Sequence, residues 1–149
     1  MQTERLLLRI VLGMGIALFV ILYPMLISVY VFLPLFIGVA GWILLQGFER
    51  WDYRRMVPAL AYLINLEVNL SLPLLLSLFA VLLYYLLFYD RVLYLKRCKT
   101  CVAVLSVVAI DLIYLGVLTL YDMVLDTGTL VLSDLLWYSL IADIVLAVL

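Results

Sequence analysis

Three acidic residues, Glu67, Asp111 and Asp143, lie inside or at the edges of long apolar stretches of the chain. No basic residue lies in these stretches to pair with them, and a carboxylate in apolar surroundings is costly, which makes each acid a functional candidate. Asp111, near the middle of its stretch, could carry a proton or a cation, or anchor a partner helix. It could equally be a protonated acid that bonds a neighbouring Tyr, Ser or backbone carbonyl.

The densest polar cluster outside the charged loops consists of Asn65, Glu67, Asn69 and Ser71, just before Pro73. On a helix, Asn65 and Asn69 share one face, while Glu67 and Ser71 lie on another. The cluster could line a polar cavity, or it could be the end of a helix that turns into Pro73.

Cys98 and Cys101 form a CxxC pair. A zinc site needs two further ligands, and the chain has no His and no other Cys. A redox pair is expected in a thioredoxin-like context, which the sequence lacks. Two free cysteines at the start of a helix explain the pair more simply.

The second apolar stretch carries a patch of small residues, Gly38, Ala40 and Gly41, which would let helices pack closely. Nothing in the sequence resembles a nucleophile with its base, a P-loop or a dinucleotide fingerprint. We therefore expect no catalytic residues, no cofactor and no metal site, and a protein that is not an enzyme.

The composition points to a lipid environment. Hydrophobic residues make up 70% of the chain and charged residues 13%, whereas soluble domains have roughly 45–50% and about 25%. In lipid only helices and closed barrels satisfy every backbone group. The apolar stretches are continuous rather than alternating, which favours helices.

The basic residues form three short clusters between the apolar stretches, and such clusters mark the cytoplasmic side of a membrane. The sequence has no basic stripe with interleaved aromatics, so we do not expect it to bind nucleic acid. The clusters are Arg5 and Arg9; then Arg50, Arg54 and Arg55; then Arg91, Lys96, Arg97 and Lys99.

Six spans, arranged as three hairpins, place every cluster and both termini in the cytoplasm, whereas five or seven spans would put one cluster on the wrong side. We predict one transmembrane domain with spans at 6–23, 25–47, 57–71, 73–89, 101–121 and 135–149, and no clear internal repeat. The first span has no cleavage site and should be retained.

Prolines set several of these boundaries. Pro24 should break the helix, Pro34 could kink the second span, and Pro58 should lie in the first turn of the third. The third span is shorter than the ~20 residues that a bilayer requires and is a candidate for a broken element. Asp122, Asp126 and Asp134 should lie in an acidic loop on the outer side.

In size and in this topology the chain resembles MreD, the small rod shape-determining membrane protein of bacteria. The local resemblance is strongest in a short third span that bears an acid, Leu63–Glu67, and in a Tyr-rich basic loop, Tyr89–Arg97. The resemblance implies an all-α fold similar to MreD and to the substrate-binding subunits of energy-coupling-factor vitamin transporters. It also implies a place in the bacterial cytoplasmic (inner) membrane.

The resemblance further implies a non-enzymatic scaffold of the cell-elongation machinery, the elongasome, which makes peptidoglycan and sets cell shape. The partners would be an MreC-like protein and, through it, MreB filaments, RodA and a class B penicillin-binding transpeptidase. The alternative is a small transporter or its substrate-binding subunit that uses the buried acids. The absence of a charged substrate partner inside the spans favours the scaffold.

Overall fold

The computed structural model describes residues 2–30, 33–94, 98–125 and 132–148. These residues form six α-helices and contain no β-strand, which confirms the all-α prediction. The helices are α1 (Gln2–Val29), α2 (Ile37–Glu49), α3 (Tyr53–Asn69), α4 (Leu76–Leu93), α5 (Lys99–Leu125) and α6 (Leu132–Val148).

The short helix α2 lies at the centre of the bundle, in contact with α3, α4, α5 and α6. Gly41 is one reason for this position, because a Cβ there would meet Val81 Cγ2 of α4 at 2.9 Å and Ile110 Cγ2 of α5 at 3.1 Å. The missing side chain lets both neighbours approach. Among the described helices, α1 packs against α3 alone.

The predicted break at Pro24 is wrong, because α1 continues through this residue. Proline cannot donate to the carbonyl four residues earlier, which is that of Val20. That carbonyl accepts instead from Asn65 Nδ2 of α3 at 2.9 Å, so the helix keeps its partners. The chain leaves the helix later, and Pro34 lies before α2 rather than inside a kinked span.

The predicted start of the third helix near Val57 is also wrong. α3 begins at Tyr53, because the side chain of Asp52 caps it by accepting the Arg54 N–H at 3.2 Å. A cap of this kind satisfies one of the free donors in the first turn. Pro58 consequently lies in the second turn of the helix and not in the first.

Two segments of similar sequence lead into α2 and α4, Leu33-Pro34-Leu35-Phe36 and Leu72-Pro73-Leu74-Leu75. Each ends in a residue with positive φ directly before its helix, Phe36 at 51° and Leu75 at 70°. Positive φ is unfavourable for bulky side chains, so neighbouring elements must hold both turns. The two turns are therefore similar both in sequence and in backbone conformation.

Basic residues that are distant in sequence lie at one end of the bundle. Arg9 of α1 and Arg54 of α3 line the same groove. The side chains of Glu49 and Tyr89 are in hydrogen-bonding contact, which brings the end of α4 to the turn after α2. Since Arg91 follows within the last turn of α4, it lies at this end as well.

Two described helices are long and apolar enough to cross a membrane. They are Thr3–Val29, with a mean hydropathy of 2.6, and Lys99–Leu125, with 2.5. Ile37–Glu49 and Trp137–Val148 are apolar but shorter than the ~20 residues of a typical span. The two long helices support a membrane location, and the six predicted spans are not confirmed.

Candidate functional site

Two polar side chains of α6, Ser139 and Asp143, hold the start of α2. The Gly38 N–H donates to Asp143 Oδ2 at 2.9 Å, and the Leu35 N–H donates to Ser139 Oγ at 2.9 Å. The first N–H groups of a helix lack partners within it and form the positive end of its dipole. Asp143 therefore closes the amino end of α2 from another helix.

Two tyrosines hold the carbonyl groups of the same turn. Tyr23 of α1 donates to the Pro34 carbonyl at 2.9 Å, and Tyr62 of α3 donates to the Leu35 carbonyl at 2.7 Å. Non-helical backbone within a membrane is tolerated only where protein satisfies its polar groups. The turn before α2 meets this condition through side chains of α1, α3 and α6.

Asp111 of α5 joins this cluster, since its carboxyl group contacts that of Asp143 and faces the Gly38 N–H. Position 38 leaves room for it, because a Cβ there would lie 2.6 Å from Asp111 Oδ2. Two ionised carboxylates in contact would repel, so the contact requires a shared proton. The partner is a second acid and not the Tyr, Ser or backbone carbonyl that the sequence suggests.

Two oxygens of this acid pair, Asp111 Oδ2 and Asp143 Oδ1, are buried and accept no hydrogen bond from a residue that the structure describes. The Asp143 side chain is fully buried. The pair can therefore hold a proton between two helices. No group of three or more metal-ligating residues lies together in the described parts of the chain.

Glu67 of α3 has a related role at the start of α4. Its Oε2 accepts the Leu75 N–H and its Oε1 accepts the Ser77 N–H, both at 2.6 Å. Tyr114 of α5 is close enough to interact with this carboxylate electrostatically, and its buried hydroxyl has no partner among the described residues. Glu67 thus belongs to a set of hydrogen bonds separate from the acid pair.

The two helix starts correspond position by position. Gly38 follows Pro34 by four residues, and Ser77 follows Pro73 by the same number. Both N–H groups donate to a buried carboxylate that a different helix provides. Buried acids therefore close both of the related turns, which gives two of the three predicted candidates a structural role.

Asn65 and Asn69 lie on one face of α3, and Asn65 bonds to α1. Asn65 Nδ2 donates to the carbonyls of Val20 at 2.9 Å and Ile21 at 3.2 Å, while Asn69 Nδ2 donates to Asn65 Oδ1 at 2.8 Å. The first of these bonds supplies the donor that Pro24 lacks. Asn65 therefore joins α3 to α1, Asn69 supports Asn65 from within α3, and Ser71 lies in the turn towards α4.

Sequence reasoning did not identify Tyr23, Tyr62 and Ser139 as parts of this site. The only signal for Ser139 is its spacing from Asp143, because residues four apart share a helix face. The tyrosines carry no signal in sequence, since hydroxyl groups at the edge of apolar stretches are common.

The Gly38 and Gly41 patch lies where α2 meets α5, with Asp111 and Ile110 against it.

The predicted cytoplasmic bases are exposed wherever the structure describes them. Arg55 Nε forms an ion pair with Asp52 Oδ2 at 3.5 Å. Lys96 and Arg97 lie outside the described residues. The exposed bases are Arg50, Arg54, Arg55, Arg91 and Lys99.

The predicted acidic loop begins later than expected. α5 continues beyond Tyr121 to Leu125, so Asp122 is a buried helical residue rather than a loop residue. No Gly or Pro occurs between Tyr121 and Gly128, which accounts for the extra turn. Asp126 lies outside the described residues, and the side chain of Asp134 is not described.

Cys98 and Cys101 form a disulfide at the start of α5, with Cα atoms 5.2 Å apart. The prediction of two free cysteines is therefore wrong. The Cα separation lies within the range that a disulfide allows, because the first helical turn brings the two residues together. Disulfides are rare in the cytosol, so the redox state of this pair in cells bears on the side where the segment lies.

Side chains of α1, α3 and α6 thus bond the start of α2 within an apolar bundle, and two acids in contact lie beside it. Such an arrangement fixes the position of α2 and can hold a proton. No protein-family model, curated protein or solved structure matches the chain.

Proposed function

We propose that the chain is a multi-pass membrane protein whose six helices form three hairpins, with the basic clusters and both termini in the cytoplasm. The surface supports the proposal, because large apolar side chains are exposed on every helix, as Leu8, Ile43, Val57, Leu86, Leu120 and Ile141 illustrate. Lipid would solvate such a surface, whereas monomers in water rarely expose it.

The position of the charges supports the orientation. Arg9, Arg54 and Arg91 lie at the end of the bundle where α1 begins and α4 ends. Basic residues next to membrane spans favour the cytoplasmic side, so this end would face the cytoplasm. The turns before α2 and α4, with their buried acids, would then lie towards the outer side.

Within the membrane, we propose a non-enzymatic scaffold that docks helices of partner proteins. The isolation of α1 is the observation that carries this proposal. Only 11% of the apolar stretch of α1 is buried, compared with 33% of that of α5. Among the described helices, α1 packs against α3 alone. A helix with one neighbour leaves most of its circumference available to a partner.

One face of α1 is suited to such a contact. Leu8, Val11, Leu18 and Leu22 point to one sector of the helix, since successive residues turn by about 100°. Their side chains are between 46% and 64% exposed. Gly15 lies among them with no atom near its Cβ position, which would allow a partner helix to approach closely.

We further propose, from the resemblance to MreD, that this scaffold belongs to the machinery of bacterial cell elongation and peptidoglycan synthesis. Its first partner would be an MreC-like protein. Through it the scaffold would reach MreB filaments, RodA and a class B penicillin-binding transpeptidase. The size of the chain and its hairpin order support this assignment.

Depletion of the protein in its own organism tests the assignment. We expect cells to become round or to bulge, and the wall-synthesis partners to lose their localisation. Purification in mild detergent should recover an MreC-like protein with the chain. Normal cell shape after complete depletion would contradict the proposal.

A small transporter, or the substrate-binding subunit of one, is the second candidate, and the acid pair Asp111–Asp143 favours it. A buried, proton-holding pair between helices is a feature of proton-coupled transport. This alternative predicts that Asp111→Asn abolishes uptake or proton movement while the protein still inserts. The scaffold predicts that Asp111→Asn restores cell shape in depleted cells, because asparagine keeps the hydrogen bond to Asp143.

A further inference from the structure

A long groove lies between α1 and α3, with a volume of about 830 Å³. Two arginines, Arg9 and Arg54, lie at its basic end, and the rest of its lining is almost entirely apolar. The volume falls within the ~300–1,000 Å³ that is typical of small-ligand sites. Its apolar lining includes Leu12, Ile16, Val20, Ile21, Val57 and Ala61.

An adjoining pocket of about 540 Å³ extends this site. It shares Arg54, Ile16 and Val20 with the groove and adds a third arginine, Arg55. The combined site has a cluster of guanidinium groups at one end and hydrocarbon surface elsewhere. A complementary ligand would carry an anionic head and a long apolar chain.

The two arginines of the groove are available for such a head. Neither Arg9 nor Arg54 forms an ion pair with a residue that the structure describes, whereas Arg55 is paired with Asp52. Guanidinium groups bind phosphate oxygens in a bidentate manner, and they do so more specifically than ammonium groups. The chemistry of this end favours a phosphate.

The length of the groove fits an acyl chain. From residue 9 to residue 21 of α1, twelve residues at ~1.5 Å each give about 18 Å. One leaflet of the hydrocarbon core is about 15 Å deep, half of the ~30 Å total. A chain that starts at a phosphate beside the arginines would therefore reach the middle of the bilayer inside the groove.

We propose that this groove binds an anionic phospholipid of the cytoplasmic leaflet. The phosphate would lie between Arg9 and Arg54, and one acyl chain would lie along α1. A partner helix would leave the two guanidinium groups without an anion, and a soluble phosphate would leave the apolar walls uncovered. The proposal rests on the membrane orientation proposed above but not on the scaffold function, since it concerns the face of α1 opposite Leu8 and Leu18.

The charge of the site can be tested with the full-length protein in mild detergent. Native mass spectrometry would measure the binding of phosphatidylglycerol, with phosphatidylcholine as the neutral comparison. We expect the wild type to prefer phosphatidylglycerol, and Arg9→Gln with Arg54→Gln to lose about tenfold or more of this binding. The matched control, Arg5→Gln with Arg50→Gln, removes the same charge at the same end but does not line the groove.

The apolar part of the site has its own matched pair. Gly13 lines the groove and Gly15 does not, and neither has an atom within 4 Å of its Cβ position. Gly13→Leu should fill the groove and reduce phosphatidylglycerol binding, whereas Gly15→Leu should leave it unchanged. Leucine favours a helix more than glycine does, so neither change should impair folding.

Three results would overturn the proposal. If both double arginine variants lost the same amount of phosphatidylglycerol binding, the basic end would attract anions in general. Undiminished phosphatidylglycerol binding by Gly13→Leu would show that no acyl chain enters the groove. Displacement of the lipid by inorganic phosphate, with Gly13→Leu unaffected, would show a phosphate site without a lipid.

Discussion

Asp143, near the end of α6, accepts a 2.9 Å hydrogen bond from the backbone N–H of Gly38, 105 residues earlier at the start of α2. The bond joins the central helix of the bundle to the last helix of the chain. Glu67 makes the equivalent contact at the start of α4. Buried carboxylates thus fix the two irregular turns, and the apolar helices pack around them.

The Gly38→Ala variant should lower the stability of the fold by about 1–3 kcal/mol, the usual cost of overpacking. The added Cβ would lie 2.6 Å from Asp111 Oδ2 and would force the acid pair apart. Gly13→Ala is the control, because its Cβ would meet no atom within 4 Å. Thermal unfolding in detergent measures both, and equal stability of the two variants would argue against a tight acid contact.

The Glu67→Ala variant should cost about 3 kcal/mol or more, because it leaves two N–H groups of α4 without a charged acceptor. Glu67→Gln keeps one acceptor oxygen and should cost less. Glu4→Ala, at an exposed position in the first turn of α1, should change stability little. If the three variants unfolded at the same temperature, Glu67 would not be the cap of α4.

The helical class could be predicted from sequence because long apolar stretches decide it. The helix boundary at Pro24 could not be predicted, since a side chain distant in sequence replaces the hydrogen bond that proline lacks. Asn65, 41 residues beyond Pro24, supplies that replacement. The local rule that proline ends a helix therefore failed, because a distant side chain replaced the missing donor.

The site shows the same limit. Glu67, Asp111 and Asp143 were recognisable as costly acids, but their partners depend on how the helices meet. Asp111 and Asp143 lie on different helices, and no periodic pattern links them. The turn before α4 was more accessible, because Pro73 follows the polar cluster directly and indicates the end of a helix.

The link between Asn65 and Pro24 predicts a coupling energy. Asn65→Leu should cost about 1–2 kcal/mol, because the Val20 carbonyl loses its donor. In the Pro24→Ala background the cost should be smaller, since alanine supplies an N–H to the same carbonyl. A double-mutant cycle of unfolding free energies measures the difference. The same cost in both backgrounds would show that Asn65 does not compensate for Pro24.

The disulfide predicts a difference between cells and purified protein. Cys98 and Cys101 are disulfide-bonded in the structure, whereas the proposed orientation places them in a reducing compartment. We expect alkylation in intact cells to label both thiols, and air-exposed protein to require reduction before labelling. Resistance to alkylation in cells would place this segment on the oxidising side and would contradict the orientation.

Site-specific photo-crosslinking in the native organism tests the docking role of α1 most directly. A photoreactive amino acid would replace Leu8 or Leu18 on the exposed face of α1. Leu86 on α4, which is 70% exposed, would be the comparison. We predict that Leu8 and Leu18 give the same protein adduct, that it contains an MreC-like protein, and that Leu86 gives only lipid adducts. Lipid adducts alone at all three positions would contradict a scaffold that binds its partners through α1.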